Sequence, residues 1–510
     1  MGNEYILILD AGTGAGRCVI LDAQGNLVSQ SYREWRYFSP PEVEPLGMEF
    51  DPALFWNILS DTIKEAMKAG DIPKDKIIGI SATSQREGLV FLDTNGGELY
   101  AGPNMDMRGV LTQGIIEEEL GDALYKITGQ GPPFFSAATK LLWFKEEKPE
   151  VYVKISRMLM LSDWILFKLT GEYAAEPSNA SSSLVFDIHK CKWSDEIIEK
   201  LELSGHIFPK MHQASEQIGT VTKEASEKCN LVEGTPVIIG GADTQSSLVG
   251  SGAIKDGDVG IVAGSNTQIQ MVVPSPIIDS KERIWTSCHL LHGKWVLESN
   301  AGMTGLIYKW LKDNILSYGS SMKGTAVTYE QMDELASQVP PGSCDAYASL
   351  GADIMNVQQM HVVRPGIFLF PPPANPLTAV PVGMSHLIRA TIENLTFVTK
   401  GNMTQVEDIS NRKVEGARMN GGMAKSKLWP RILADVLDIP ISIPKVKEGA
   451  SLGCAICVAI GVGKYKDYDE AIKSMVKFEK IIEPDKVIHE KYNSHYERWK
   501  KLYNEITELA

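Results

Sequence analysis

The sequence predicts an α/β protein built from two related lobes, and three observations predict it. Residues 5–22 read as an apolar strand (Tyr5–Leu9), Asp10, a glycine-rich turn with Gly12, Thr13, Gly14 and Gly16, and a second apolar run, Cys18–Leu21. A hairpin of similar shape returns over 256–273, where an apolar strand runs into Gly264-Ser265 and then into Gln268–Val273. Strands alternate with amphipathic helices through the first half, and 510 residues, at ~150 per domain, are too many for one core.

The opening hairpin carries the first chemical signal. Glycines let backbone amides approach an anion, and successive N–H groups in a turn form an anion-binding concavity. A carboxylate beside a phosphate cradle repels the ligand unless a cation lies between them, so Asp10 suggests Mg²⁺ and a nucleotide. A Rossmann turn would open a helix and place glycine where Arg17 stands; here a second strand follows, and a Walker A string is absent. A tight hairpin without a ligand remains open from these residues alone.

Net charge is −14, which speaks against nucleic acid or an anionic membrane as the main partner. Seven cysteines, odd in number and scattered, fit a reducing cytosol better than a disulfide framework. Cys454-Ala-Ile-Cys457 has redox spacing but sits in a run of small apolar residues and reads as buried helix packing. The amino terminus lacks a basic region before a long apolar core, and no apolar run reaches the ~20 residues of a membrane span. The expectation is a soluble, cytoplasmic protein.

Along the chain, Leu54–Ala69, Asp106–Leu120, Thr139–Glu147 and Ser162–Leu169 read as helices. Lys76–Thr83 and Leu89–Asp93 read as strands, as does the stretch from Thr235 towards Asp243. Phe370–Pro381 is a proline-rich loop. Asp485–Leu509 is a charged helix whose Tyr492, Tyr496, Trp499 and Tyr503 recur at helical spacing, the pattern of a packed face.

Asp243 follows two glycines at the carboxyl end of an apolar strand, the edge where open α/β sheets bind ligands. It is placed to accept a hydroxyl proton in phosphoryl transfer, or alternatively caps the helix starting near Thr244. Gln245 stands in the same turn. Arg86 and Glu87, in Ser84-Gln-Arg-Glu-Gly88, supply the adjacent donors and acceptors that a polyol requires, and equally suit an exposed ion-paired turn. Asp106 and Arg108 lie near a helix start, where Asp is also a good first-turn residue.

The string DAGTGAGRCVILD resembles the first phosphate hairpin of the FGGY carbohydrate kinases, and the resemblance continues in order along nearly the whole chain. The Q-R-E turn, the D-x-R element, K-x-x-W at Lys140–Trp143 and G-x-D at Gly241–Asp243 come first. The second hairpin follows, then Asn420-Gly-Gly-Met-Ala-Lys-Ser-Lys-Leu-Trp429, Ala434-Asp435 and Glu448-Gly-Ala-Ser-Leu-Gly453. Departures are Ala15, where the family usually has Ser, Ala137 in the lysine signature, Asn266-Thr267 after the second hairpin's Gly-Ser, and a loop at Phe370–Pro381 without the acidic, arginine-bearing segment common in xylulose kinases.

The resemblance implies two ribonuclease-H-like lobes of the sugar kinase, Hsp70 and actin superfamily, with a cleft between them. It implies a sugar-binding lobe over 1–252, a nucleotide-binding lobe over 253–475 and a helical tail over 476–510 packed on the body. It further implies an ATP- and Mg²⁺-dependent kinase acting on a hydroxyl of a small open-chain sugar or polyol. Asp10 would lie near Mg²⁺. Gly12, Thr13, Gly14 and Arg17 would meet phosphate from one side, and Gly264 and Ser265 from the other. Gly421, Gly422 and Lys425 would line the adenosine pocket. Arg86, Glu87, Asp106 and Gln245 would bind the polyol, with Asp243 as base. Pentulose, erythritol and glycerol kinases share these features, and a non-catalytic nucleotide-dependent protein of the same fold is the reading from another class. A homodimer is compatible with the sequence.

Overall fold

The computed structural model describes residues 4–316, 327–360, 362–372 and 381–508. Two mixed sheets organise it. The first runs, in spatial order, Gln217–Thr220, Pro236–Ile238, Ile77–Ser84, Tyr5–Ala11, Ala15–Asp22, Leu27–Glu34. The second runs Trp285–Cys288, Trp295–Asn300, Thr267–Val273, Val259–Ala263, Ala417–Asn420, Ile441–Pro444, Phe478–Ile482. In each, the hairpin's first strand is antiparallel to its second and parallel to the next: Tyr5–Ala11 lies beside Ile77–Ser84, and Val259–Ala263 beside Ala417–Asn420. The unit suggested by the two hairpins is thus the organising strand pair of both lobes.

These central strands are apolar without alternation because both their faces are covered. Helices Pro52–Ala69 and Leu161–Thr170 cover one face of the first sheet. Asp51 starts the former by accepting the Leu54 N–H, with Pro52 at its first position. The other face is covered by Gly449–Gly461, a helix from late in the chain, through Leu452, Ile456 and Val458 against Ile6, Ile8 and Ile238. In exchange, helix Asp243–Gly250, from the end of the first half, sends Leu248 against Val272 and Val296 of the second sheet. The two helices cross backbone to backbone: a Cβ on Gly250 would strike the Gly449 carbonyl, and one on Gly453 the Ser246 carbonyl. Small residues in SLGCAIC are the condition for this crossing, and Cys454 and Cys457 are buried in it as expected.

Helix Lys486–Glu508 lies on the second lobe's core with Tyr492, Tyr496, Trp499 and Tyr503 buried. Trp499 donates its indole N–H to both the Ala348 carbonyl and Asn394 Oδ1 at 3.0 Å, and its ring stacks on Tyr503. Trp499→Ala should cost about 3–5 kcal/mol of second-lobe stability, read as a lower unfolding midpoint in urea.

Three expectations about local structure are corrected. Asp106 does not start a helix: a 3₁₀ turn at Arg108–Leu111 precedes helix Gln113–Leu120, because the Asp106 carboxylate is engaged by the loop itself. The strand ahead of Asp243 stops at Ile238, and Asp243 is the first residue of the next helix. Helix Ala137–Glu147 begins two residues early, capped by Ser136, which accepts the Thr139 N–H. Of the proline-rich loop, residues 373–380 lie outside the described residues. No helix among those described is long and apolar enough to cross a membrane.

Candidate active site

A cleft of about 820 Å³ opens between the two sheets, lined from both hairpins and both crossed helices. Asp10, at the penultimate position of its strand, faces it with Gly12, Thr13 and Arg17. Gly264 and Ser265 enter from the second hairpin, and Gly421, Gly422 and Lys425 from the turn after Ala417–Asn420. Arg86, Glu87 and Asp243 complete the wall.

Each turn is held by specific donors. The Gly12 N–H bonds the Ala15 carbonyl at 3.0 Å, and Trp35 and Tyr37 donate to the Thr13 carbonyl. Asn104 Nδ2 donates to Thr13 Oγ1 at 3.2 Å. Across the cleft, the Gly264 N–H bonds the Asn266 carbonyl at 2.8 Å. Gly421 has φ +93° and presses on the Ala263 backbone, a place only glycine fits. Gly14 sits at the exposed crest of its turn, its carbonyl accepting the Trp35 N–H, and is not among the lining residues.

Carboxylates dominate the electrostatics. Burial pushes Asp10 above its usual range, against the attraction of Arg17, whose guanidinium lies 3.4 Å from Asp10 and 3.5 Å from Glu448. Burial pushes Asp243 up to about 7, opposed by Arg86 and reinforced by repulsion from Asp10 and Glu87. Glu87 is raised by burial too, against Arg86 and Lys140. The Asp243 Oδ1 accepts the N–H of its neighbour Thr244 at 2.8 Å, but Asp243 is itself the first helical residue and Ala242 holds the cap position, so Asp243 faces the cleft without capping the helix.

Two residues expected at the polyol are elsewhere. Asp106 is fully buried and outside the cleft lining. It accepts from Arg108 Nε at 2.8 Å, from the Tyr100 hydroxyl and from the Met48 N–H, and so pins the loop ahead of helix Gln113–Leu120. Gln245 is also fully buried and off the lining; its Oε1 accepts the Thr244 hydroxyl at 2.7 Å. The inward face of a short helix explains it: two residues beyond Asp243, the side chain turns away from the cleft.

Several contributors escaped sequence reasoning. Arg86 lines the cleft, but both its terminal nitrogens are bound by Glu298 of the second lobe, at 2.8 and 3.0 Å. Gln270 donates to the same carboxylate at 2.8 Å. Lys140, seen only as part of K-x-x-W, is fully buried and donates to the Glu87 carbonyl at 3.0 Å and the Pro103 carbonyl at 3.3 Å. It clamps Glu87 in a left-handed conformation, φ +61°, which a non-glycine residue adopts at a cost. Burial lowers the Lys140 ammonium to about 8. Behind Asp243, the Ser178 hydroxyl takes the Ala242 N–H at 3.0 Å and donates to Glu176.

Residues 5–250 match the FGGY family of carbohydrate kinases, N-terminal domain, and residues 260–462 match its C-terminal domain. The chain is 30% identical to an autoinducer-2 kinase of Salmonella paratyphi B, over 100% of this chain and 96% of that protein. It is 31% identical to an autoinducer-2 kinase of Escherichia coli K12, over 98% and 94%. Among solved structures, a ligand-bound xylulose kinase from Lactobacillus acidophilus superposes with a TM-score of 0.85 at 20% identity, covering 99% of this chain and 98% of that one. Plasmodium falciparum glycerol kinase with ADP gives 0.83 at 18%, again over 99% and 98%. Two sheets built on the same strand order, a cleft between them and both halves of the match lead to one conclusion: the chain belongs to the FGGY family of carbohydrate kinases.

Proposed function

We propose that this kinase moves the terminal phosphoryl group of ATP to a hydroxyl of autoinducer-2, the open-chain dihydroxypentanedione, or of a close analogue. The observation that carries the reading is Asp243: a carboxylate raised to about 7, at a helix start in the cleft, between two glycine hairpins suited to phosphate. In a loose phosphoryl-transfer transition state the acceptor proton leaves late, so a positioned acceptor suffices. Full-length similarity to autoinducer-2 kinases favours the substrate.

Gly12, Thr13, Gly264 and Ser265 serve the phosphates, Gly421, Gly422 and Lys425 the adenosine, and Glu87 with Arg86 the acceptor. Asp10, Glu87 and Asp243 crowd negative charge into one cleft, which fits a hard divalent cation carried in on a polyphosphate, with Asp10 beside it. Mg²⁺ there would neutralise charge on the transferring group.

The deciding experiment is an ATP-consumption screen across dihydroxypentanedione, xylulose, ribulose, erythritol, erythrulose and glycerol. Highest kcat/KM on dihydroxypentanedione supports the reading; preference for a pentulose or glycerol moves the assignment within the family, and no turnover on any acceptor favours a binding role. The pH profile is a second check. The acceptor carboxylate works when ionised, so log kcat/KM should fall by about one per pH unit below about 7. A flat profile from pH 5 to 8 would remove Asp243 as the titrating group.

A further inference from the structure

Two thiols face each other across the seam between the lobes. Cys191 lies in the turn joining the short strands Phe186–Asp187 and Lys192–Trp193 of the first lobe. Cys288 ends Trp285–Cys288, the edge strand of the second sheet. Their Sγ atoms are 3.8 Å apart. The seam around them is in register: Trp295 Nε1 donates to the Ile188 carbonyl at 2.9 Å, the Cys288 N–H to Ser181 Oγ at 3.1 Å, and the Thr286 N–H to the Gly129 carbonyl at 2.8 Å.

The environments of the two differ in a useful way. Cys288 is buried, whereas Cys191 is partly exposed beside the exposed His189 and Lys190. Cys191 has φ +50°, a conformation that glycine or asparagine takes more cheaply, so turn preference does not account for a cysteine there. The hydrogen bond between the thiols lowers Cys191 and raises Cys288, which makes Cys191 the more readily ionised partner.

We propose that Cys191 and Cys288 are a redox modification site for peroxides, at which a disulfide closes and ties the two lobes together. The Cys191 thiolate attacks a peroxide oxygen; the O–O bond breaks, and hydroxide leaves and takes a proton to become water. The resulting sulfenic acid is attacked by Cys288 sulfur, forming the S–S bond and releasing the sulfenic oxygen as a second water with the Cys288 proton. Two thiols are oxidised and one peroxide is reduced. The sulfurs must close to about 2.05 Å, a movement the exposed turn at 189–191 can supply. Ligand exchange in a cleft kinase requires the lobes to part, and the covalent tie opposes it.

The test is hydrogen peroxide treatment of the full chain, alkylation of remaining thiols, and peptide mapping, with hydrogen exchange of the seam measured alongside. The expected result is a linked pair of peptides carrying Cys191 and Cys288, lost on dithiothreitol. Amides of Trp285–Cys288 and of 129–131 should exchange several-fold more slowly in the oxidised protein and recover on reduction. Cys191→Ser should fold and turn over as the parent does, form no link and show no peroxide-dependent change in exchange. Cys344→Ser, which alters the other partly exposed thiol, should behave as the parent. A Cys191 that goes to sulfinic acid without linking, a link to Cys344 instead, or a formed link with unchanged seam exchange would each overturn the proposal.

Discussion

Asp243→Asn is expected to lower kcat by about 10²–10⁴, the usual contribution of a positioned proton acceptor, while the Kd for ATP stays within about twofold. Asparagine keeps the shape, and its Oδ1 can still accept the Thr244 N–H that Asp243 accepts at 2.8 Å, so the helix start survives. What is lost is the charge beside Arg86. The glycine turns at Gly12–Thr13 and Gly264–Ser265, proposed to hold the phosphates, are built from backbone and do not depend on it. Titration calorimetry with ATP and steady-state kinetics check the two halves; a variant retaining a tenth of the activity would take Asp243 out of the acceptor role. Stability should move oppositely. Burial raises the folded-state value to about 7, above an unfolded value near 3.9. The folded state therefore holds the proton more tightly, and stability from this group is present at low pH and lost as pH rises through 7. At pH 8 the Asn variant should melt higher than the parent, and near pH 4 the two should agree.

Glu87→Ala should raise the acceptor KM about 10–100-fold, the loss of one or two charged hydrogen bonds, with the ATP KM nearly unchanged. Glu87 lines the cleft and its carboxylate has no hydrogen-bond partner among the described residues, while its backbone is fixed from behind by buried Lys140. Arg86 is differently placed: each of its terminal nitrogens donates one N–H to Glu298, so it joins the lobes at the cleft while its guanidinium keeps further donors. Equal rises in both KM values would mean that Glu87 shapes the cleft as a whole and does not meet the acceptor.

The repeat of the hairpins, the family and most of the cleft wall were legible because they depend on short strings: glycine turns, an aspartate after a strand, Q-R-E. Backbone geometry dictates those residues locally. The placements that were not legible share a different cause. Asp106 and Gln245 belong to suitable strings, yet Arg108 and Tyr100 engage the Asp106 carboxylate, Thr244 engages Gln245 Oε1, and burial direction is set by tertiary packing. Glu298, 212 positions from Arg86, leaves no mark in sequence around either residue. Nor does the exchange of helices Asp243–Gly250 and Gly449–Gly461 between sheets, since each reads only as a small apolar helix.

The carboxyl-terminal helix has a consequence for synthesis. Helix Met384–Ser410 is buried on all sides over 388–399, and part of its cover is Lys486–Glu508, whose Tyr492 hydroxyl adds the last partner in chain order to Arg389 and Glu393. Phe478–Ile482 likewise adds the last strand of the second sheet. On the ribosome, the second lobe cannot finish until residues near 500 have emerged, so this helix waits partly uncovered through the translation of about a hundred residues at 5–20 per second. The first lobe waits longer, because its last strand, Pro236–Ile238, is made about two hundred residues before Gly449–Gly461 can cover the sheet. Nascent chains are therefore where this fold is most exposed to aggregation, and both lobes mature together although they are made in succession.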